Sequence, residues 1–262
     1  MTPATASTTP FDPTASSAHP PRLDHIRAIS FDLDDTLWPF LPVILQAEQV
    51  LRDWLLAQAP GTVPLLTARP AVLRELREVV QHERPELAHD LSGMRRESIR
   101  RLLVQVDEDP ALAEPAFDVF FAERQRVRLY DDALPALDWL AARFPLVAIS
   151  NGNADVTRAG LGRYFRAAFS ASTFGKAKPH ADIFHAAAAA AGVPAHAVLH
   201  VGDDAALDVA GAHAAGLSTA WVARVGDDGV LPTWRHTHGP APHLTVAHLG
   251  ELVEALQGHP AA

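Results

Sequence analysis

The chain has 262 residues, 48% of them hydrophobic, and a formal net charge of −9 at neutral pH. This negative balance argues against a general nucleic-acid binder or a membrane-surface binder. The sequence contains no cysteine, which excludes disulfide bonds and thiolate metal sites.

The opening segment, 1–23, is rich in proline, serine, threonine and alanine and has no apolar block. It lacks the basic start and apolar middle of a signal peptide. We interpret it as a flexible tail, with an uncleaved or appended extension as the equal alternative. No apolar run approaches the roughly 18 residues of a membrane span. We therefore expect a soluble, cytoplasmic protein with no membrane partner.

Four short apolar segments after the tail are typical of parallel strands buried on both faces. They are "RAISFDL" (27–33), "PLVAISN" (145–151), "AVLHVGD" (197–203) and "LSTAWVA" (217–223). Helical patterns precede the last three strands, at 134–144, 180–192 and 206–216. Gly192 and Gly216 stand where helix C-caps are expected. This alternation predicts an α/β fold with a doubly wound, Rossmann-like parallel sheet.

The segment between the first strand and the helix at 134 has little strand character. Its apolar residues recur at helical spacing in four stretches, 41–58, 71–83, 94–106 and 116–127. A structureless loop of this length is implausible in a compact domain. We predict an α-helical cap domain inserted after the first strand. The cap would span 39–129, and the α/β core would comprise 24–38 and 130–262.

Polar residues follow three of the predicted strands, where ligands bind in open parallel sheets. They are Asp32, Asp34, Asp35 and Thr36 after the first strand, Ser150, Asn151 and Gly152 after the second, and Asp203, Asp204 and Asp208 after the third. At ~4 Å and an effective dielectric near 20, each pair of like charges costs about 4 kcal/mol. Crowded carboxylates of this kind indicate that a cation lies among them.

The two lysines of the chain, Lys176 and Lys178, stand together before the predicted helix at 180, and every other basic residue is an arginine. A lysine ammonium is a compact point charge that suits phosphate oxygens, whereas arginine presents a wide planar fork. Chance clustering on a solvated loop is the alternative. We favour a functional Lys178 and a solvated Lys176.

These motifs, in this order, resemble those of the haloacid dehalogenase superfamily, whose members are mostly phosphatases and often carry a helical cap. The DxDx[TV] motif corresponds to 32–36, the serine motif to Ser150, the Lys-Pro motif to 178–179 and the GDxxxxD motif to 202–208. The stretches "FDLDDTLW", "VAISNGNA", "KPHADIF" and "LHVGDDAALDVAGA" and the late "TW" at 233–234 are similar to one bacterial group. Its members act on FMN and on 5-amino-6-(5-phospho-ribitylamino)uracil.

The resemblance implies a phosphomonoester hydrolase that forms an aspartyl phosphate. Asp32 would be the nucleophile, and Asp34 would protonate the leaving oxygen and later activate water. Ser150 and Lys178 would hold the phosphoryl oxygens. The remaining phosphate-site residues would be Asn151 and Gly152, through their backbone N–H groups, and Thr36, which supports the loop by hydrogen bonding.

The resemblance also implies a Mg²⁺ cofactor, which takes oxygen ligands. The ligands would be the Asp32 carboxylate, the Asp34 backbone carbonyl and the Asp203 carboxylate. Asp204 and Asp208 would act through water or orient these ligands. For Asp35, a turn role and a site role are equally supported.

Several residues near the predicted cap are candidates for reading the substrate. Trp38 and Phe40 follow the aspartate motif and would stack on a planar ring, with packing at the hinge as the alternative. Arg95 and Arg96 would meet a polar or anionic group, with a solvated helix face as the alternative.

Other functions share part of this pattern. A phosphatase of sugar phosphates or a phosphomutase would carry every motif. A dehalogenase is disfavoured because it needs neither Mg²⁺ nor an acid at Asp34. A phospho-acceptor signalling protein would be shorter and would lack the helical insertion, and a non-catalytic binding protein would not need every motif residue. We expect a small phosphorylated metabolite as the ligand, no nucleic-acid partner, and a monomer or homodimer.

Overall fold

The computed structural model describes residues 23–225, 230, 232–236 and 239–258. Of the predicted tail, only Leu23 falls among the described residues, so the prediction for the tail lies outside them. Within these ranges, every helix is too short or too polar to traverse a lipid bilayer.

Six parallel strands form one sheet in the order β3-β2-β1-β4-β5-β6 within the described part of the chain. Their bounds are β1 Ala28–Phe31, β2 Leu146–Ser150, β3 Phe165–Ser170, β4 Val198–Gly202, β5 Ser218–Val222 and β6 Leu244–Val246. Every residue of β1, β2, β4 and β5 is buried, as expected for strands covered by helices on both faces. The four predicted strands are present as β1, β2, β4 and β5, and β3 and β6 are the strands at the two edges of the described sheet.

Helices fill the long interval between β1 and β2, and further helices lie between β3 and β4, between β4 and β5, and after β6. Their bounds are α1 Phe40–Gln58, α2 Val63–Ala68, α3 Val72–Glu83, α4 Leu91–Gln105, α5 Ala113–Arg124, α6 Ala133–Ala141, α7 Ala171–Phe174, α8 Ala181–Ala191, α9 Gly211–Ala214 and α10 Leu249–Gln257. A π-helical turn covers Ala205–Ala210 just before α9. The fold is therefore the predicted doubly wound α/β fold with a helical insertion after the first strand.

Two apolar clusters pack against the sheet, one on each face. In the first, Phe31 of β1 lies with Leu137 of α6 and Leu252 of α10. In the second, Ile149 of β2 lies with Phe184 and other residues of α8. The alanine run at 186–191 belongs to α8, whose small side chains allow the helix to approach the sheet closely.

The helices that follow β1 have an apolar cluster of their own. It combines side chains of α1, α4 and α5, among them Leu51, Leu55, Ile99, Leu102, Phe117 and Phe120. None of the residues in this cluster comes from the sheet. The helical insertion thus has its own apolar centre, while the domain boundaries at 38–39 and 129–130 stay a prediction.

Candidate active site

The predicted site residues meet at the carboxyl ends of three adjacent strands. In the sheet, β1 lies between β2 and β4. Asp32 directly follows β1, Ser150 is the last residue of β2, and Asp203 directly follows β4. Because parallel strands end at the same edge of a sheet, the fold brings these three residues together from distant parts of the chain.

Lys178 is buried among carboxylates at this edge. Its Nζ donates to Asp32 Oδ1 at 2.5 Å and to Asp208 Oδ1 at 2.6 Å. Burial alone would lower the pKa of the Lys178 ammonium, but Asp208 and Asp32 outweigh burial and raise it. The backbone of Lys178 is fixed by the Asn151 side chain, which accepts from Lys178 N at 2.7 Å and donates to Lys178 O at 2.9 Å. The lysine is therefore a positioned cation.

Asp208 anchors this lysine from the π-helical turn. Its Oδ1 also lies 3.1 Å from His200 Nε2, and its Oδ2 accepts from Asp204 N at 3.0 Å. Burial would raise the pKa of Asp208, but Lys178 and the His200 contact outweigh burial and lower it. Burial lowers the pKa of His200, whose Nδ1 lies 2.9 Å from Ser30 Oγ. Both oxygens of Asp208 have donors, which suits a supporting role.

The three carboxylates at this edge match the donor set of a divalent cation. One oxygen each of Asp32, Asp203 and Asp208 lies within 4.8 Å of the others. Burial raises the pKa of Asp32, and Asp208 and Asp203 raise it further against the effect of Lys178. Burial, followed by the charges of Asp208 and Asp35, raises the pKa of Asp203 to about 7. Asp32 and Asp203 thus lack enough positive charge nearby to offset their burial and mutual repulsion, and Mg²⁺ with its preference for oxygen ligands fits this group.

Within this group, Asp32 and Asp203 have the free capacity for a metal ion. From the described residues, the Asp203 carboxylate accepts a single hydrogen bond, from Thr36 Oγ1 to Oδ1 at 3.2 Å, and its backbone oxygen accepts from Trp221 Nε1 at 2.6 Å. Thr36 is fully buried and contacts Asp203, which agrees with a supporting role in the loop. The predicted metal ligands stay a prediction, and the donor set is compatible with them.

The Asp34 carboxylate points to a different partner, Arg124 at the end of α5. Arg124 Nη2 lies 2.7 Å from Asp34 Oδ1 and 2.6 Å from Asp34 Oδ2. Trp38 Nε1 also donates to Asp34 Oδ1, at 2.8 Å. The Trp38 ring is fully buried, which favours the packing alternative over stacking on a ligand. The sequence pattern does not predict a role for Arg124, because its contact with Asp34 spans 90 residues and has no local signal.

Gly152 brings Asp34 close to Ser150. Its N–H donates to Ser150 Oγ at 2.9 Å. A Cβ at position 152 would lie 2.7 Å from Asp34 Oδ2 and 3.2 Å from Ser150 Oγ, so a larger residue would displace one of them. The buried serine, the loop N–H and the second aspartate therefore occupy one small volume.

Three other predicted residues have local roles. Asp35 has a positive φ of 56°, and its Oδ1 accepts from Phe40 N at 2.8 Å at the start of α1, which favours the turn role. Asp204 Oδ1 accepts from the N–H groups of Ala206 and Leu207 and so begins the π-helical turn. Lys176 is exposed and pairs with Asp182, as expected for a solvated charge.

A cavity of about 760 Å³ adjoins this site at Gly152 and is lined mainly by the inserted helices. Its lining includes Gly152, Asn153 and Arg124 on the side of the aspartates. The opposite part is lined by side chains of α1, α3, α4 and α5, among them Phe40, Glu48, Arg77, Met94, Arg95 and Phe120. Arg96 is not among the lining residues; its guanidinium lies over the Phe117 ring, 3.7 Å from the centroid, and pairs with Glu114.

Comparisons with known proteins agree with this geometry. The family model for haloacid dehalogenase-like hydrolases matches residues 26–216. The chain is 37% identical over 194 residues to the 5-amino-6-(5-phospho-D-ribitylamino)uracil phosphatase YigB of Escherichia coli, covering 72% of this chain and 80% of that protein. It is 30% identical over 213 residues to a phosphoserine phosphatase of Thermus thermophilus, covering 71% and 84%.

A similar solved structure is described as a 2-haloacid dehalogenase of Pseudomonas syringae. It is 37% identical to this chain with a TM-score of 0.80, and the match covers 89% of this chain and 99% of that one. The family model spans most of the chain, and two curated relatives with at least 30% identity are phosphatases. The chain therefore belongs to the haloacid dehalogenase-like hydrolases, and it is a phosphatase-type member of that family.

Proposed function

We propose that the protein is a Mg²⁺-dependent phosphomonoester hydrolase that transfers the phosphoryl group to Asp32. The observation that carries this proposal is the cluster of Asp32, Asp203 and Asp208 at one lysine, in which Asp32 and Asp208 are buried and Asp203 is half-buried. Three carboxylates and one ammonium leave two negative charges when all are ionised, which a divalent cation would balance. Phosphoryl transfer also needs a cation, because negative charge spreads over the transferred group.

The chain's own residues have complementary parts in this reaction. Asp32 attacks phosphorus and forms an acyl phosphate, while Lys178, Ser150 and the loop N–H groups bind the phosphoryl oxygens. When bound, Mg²⁺ neutralises phosphoryl charge and orients the ester. Asp34 gives a proton to the leaving oxygen in the first half-reaction. In the second, it takes a proton from the water that attacks the phosphoryl group on Asp32.

Asp34 supports phosphatase chemistry over carbon–halogen cleavage for this chain. Breaking a carbon–halogen bond releases a halide, which needs no proton and no metal ion. The aspartate two positions after Asp32 would have no leaving oxygen to protonate in such a reaction. A phosphomutase would use the same groups, and release of inorganic phosphate distinguishes a hydrolase from it.

For the substrate, we propose a small phosphorylated metabolite, and we place the riboflavin-pathway phosphates first. The support is the 37% identity to a phosphatase of 5-amino-6-(5-phospho-D-ribitylamino)uracil and the sequence resemblance to phosphatases of FMN. A panel of metabolite phosphates that includes both compounds, sugar phosphates and phosphoserine would rank them by kcat/KM. A cytoplasmic location and a monomeric or homodimeric state stay predictions.

The central test is hydrolysis of p-nitrophenyl phosphate with and without a divalent cation. We expect activity with Mg²⁺ and its loss in EDTA, with recovery on adding Mg²⁺. Asp32→Asn should be inactive with Mg²⁺ because an amide oxygen is a poor nucleophile, and its circular dichroism spectrum should match that of the wild type. Equal rates in EDTA would contradict the metal role, and a substantial rate for Asp32→Asn would contradict the assignment of the nucleophile.

A further inference from the structure

The cavity above the site contains a charged group that the proposed reaction does not use. Glu48 Oε1 accepts hydrogen bonds from Arg77 Nη1 at 2.8 Å and from Arg95 Nη1 at 3.2 Å. One carboxylate oxygen thus serves two guanidinium groups. Among the described residues, Nε and Nη2 of Arg95 have no hydrogen-bond partner, although only 9% of the side chain is exposed.

The cluster of Glu48, Arg77 and Arg95 carries a net positive charge. Two arginines face one glutamate, so one positive charge remains inside the cavity wall. Burial, followed by the charge of Arg77, lowers the pKa of Arg95 to about 9 against the effect of Glu48, and Arg124 lowers it further. The guanidinium is still a cation at neutral pH, and an additional acceptor would stabilise it.

The position and shape of the cavity connect this group to the phosphate site. The same cavity is lined by Gly152, beside Asp34, and by Arg95. Its walls are largely apolar and include Phe40, Ile44, Leu73, Met94 and Phe120. A volume of about 760 Å³ suits a ligand well above the size of a phosphate ion. A leaving group bound with its ester oxygen near Asp34 would therefore extend toward Arg95.

We propose that Arg95, assisted by Arg77, binds an acceptor-oxygen group at the far end of the leaving group, either a carboxylate or a neutral carbonyl such as that of a pyrimidine ring. This inference rests on the proposed phosphatase function. A guanidinium presents two parallel N–H donors that match paired acceptor oxygens. Arg95 is held flat by the Phe120 ring, 3.7 Å from its centroid, so its donors are oriented before the ligand arrives.

The test compares three series of alkyl phosphates that differ only at the end remote from the phosphate. For each chain length, the terminal group is a carboxylate, a primary amide or a methyl group, and kcat/KM is measured with Mg²⁺. A hydrogen bond to a charged group is worth about 1.5–3 kcal/mol. We therefore expect the carboxylate, the amide or both to exceed the methyl compound by about tenfold or more at one chain length. The carboxylate-to-amide ratio tells an anionic ligand from a neutral carbonyl.

Two neighbouring arginines of α4 provide matched variants. Arg95 and Arg96 each stack on a phenylalanine at 3.7 Å and each pair with one glutamate, but only Arg95 lines the cavity. Arg95→Met should reduce the preference for an oxygen-bearing end group to near unity, whereas Arg96→Met should preserve it. Glu48→Gln should shift the preference in the opposite direction, toward the carboxylate, because it removes the competing negative charge.

The outcomes separate this inference from the proposed function. Hydrolysis of p-nitrophenyl phosphate tests the phosphatase function independently of the subsite at Arg95, because this ester carries neither a carboxylate nor a carbonyl group. If that ester is hydrolysed but the methyl compounds match the others at every length, the subsite is refuted. It is also refuted if Arg95→Met keeps the preference or if Arg96→Met loses it equally. If Arg95→Met does not fold, Arg77→Met, whose side chain is 25% exposed, and Glu48→Gln decide the question.

Discussion

Arg124 links the inserted helices to the residue that we propose as the acid–base group. Its side chain is 1% exposed, and its Nη2 contacts both carboxylate oxygens of Asp34. Nε and Nη1 of Arg124 are buried without a hydrogen-bond partner in the described part of the chain. Burying an arginine with unpaired N–H groups costs folding free energy. Its position next to Asp34 therefore indicates that Arg124 orients that carboxylate.

We predict that Arg124→Met slows the hydrolysis of alkyl phosphates much more than that of p-nitrophenyl phosphate. Loss of the guanidinium lets the Asp34 carboxylate move, and a displacement of 1 Å can cost about 10²-fold in rate. Alkyl phosphates, whose leaving oxygen needs a proton, should therefore slow by roughly 10- to 100-fold. p-Nitrophenyl phosphate should slow much less, because nitrophenolate leaves without a proton. Steady-state kcat for the two esters measures the difference.

Arg126→Met is the matched control for this variant. Arg126 lies two positions further along, is 76% exposed and pairs with Glu123, so its loss should leave both esters unaffected. If Arg124→Met slowed both esters equally, the arginine would be acting on general folding or binding, and its proposed role in positioning Asp34 would be wrong.

The residues of the candidate site differ in how far the sequence predicted them. Asp32, Asp203 and Lys178 follow strand ends or belong to short motifs, and the structure brings all three to one edge. For Trp38 the sequence allows either stacking on a ligand or packing at the hinge, and its buried ring, which donates to Asp34, favours packing. Arg124 could not be predicted, because arginine is the common cation of this chain and its contact depends on how the helices pack.

At the scale of elements, the junction between β4 and the π-helical turn positions the lysine anchor. Gly202 ends β4, and Asp208 lies in the turn that follows. A Cβ at position 202 would lie 2.3 Å from Asp208 Cγ and 2.4 Å from its Oδ2. The strand and the turn can therefore approach this closely only with glycine at the end of the strand.

We predict that Gly202→Ala displaces the π-helical turn and so separates Asp208 from Lys178. Overpacking of this kind typically costs about 1–3 kcal/mol in the free energy of unfolding. Because Lys178 would lose its anchor, kcat should also fall by about tenfold or more. Urea denaturation and p-nitrophenyl phosphate hydrolysis measure the two effects.

Gly258→Ala, at the end of α10, provides the comparison. There the nearest atom to an added Cβ is Ala255 O at 3.7 Å, an ordinary contact. This variant should match the wild type in stability and rate. A Gly202→Ala protein with an unchanged rate would show that the position of Asp208 is unimportant for turnover.

Two elements show why the sequence predicted the central sheet better than its periphery. The central strands are apolar on both faces, which makes their pattern easy to identify. β3, "FRAAFS", has β2 as its one neighbour within the described sheet, and its residues alternate between half-buried and exposed positions along most of its length. The predicted helix at 206–216 is present as a π-helical turn and a short α-helix, a distinction that apolar spacing does not make.

At the scale of the whole molecule, Asp132 connects segments that are far apart in sequence. Its carboxylate accepts from Arg224 Nη1 at 2.8 and 2.9 Å and from Leu249 N at 2.6 Å at the start of α10. Arg224 Nη2 in turn donates to Thr36 O at 2.7 Å, in the loop after β1. One half-buried ion pair thus ties the aspartate loop, the end of β5 and the last helix together.

This ion pair should make stability depend on pH in a defined direction. Burial would raise the pKa of Asp132, but the hydrogen bonds from Arg224 and from Leu249 N outweigh burial and lower it below 3.8. A carboxyl group whose pKa is lower in the folded state stabilises the protein at pH values above its unfolded pKa. That contribution is lost as the pH falls through the folded pKa.

We predict that Asp132→Asn lowers the free energy of unfolding by about 1–3 kcal/mol at pH 7, because Arg224 and Leu249 N lose a charged acceptor. The difference from the wild type should shrink as the pH falls below about 4, where the wild-type carboxyl group also becomes neutral. Urea denaturation at a series of pH values measures this difference. Asp118→Asn, at an exposed position of α5, should show almost no difference at any pH. A gap between Asp132→Asn and the wild type that stayed constant down to pH 2 would mean that packing, and not the ionised carboxylate, makes Asp132 important.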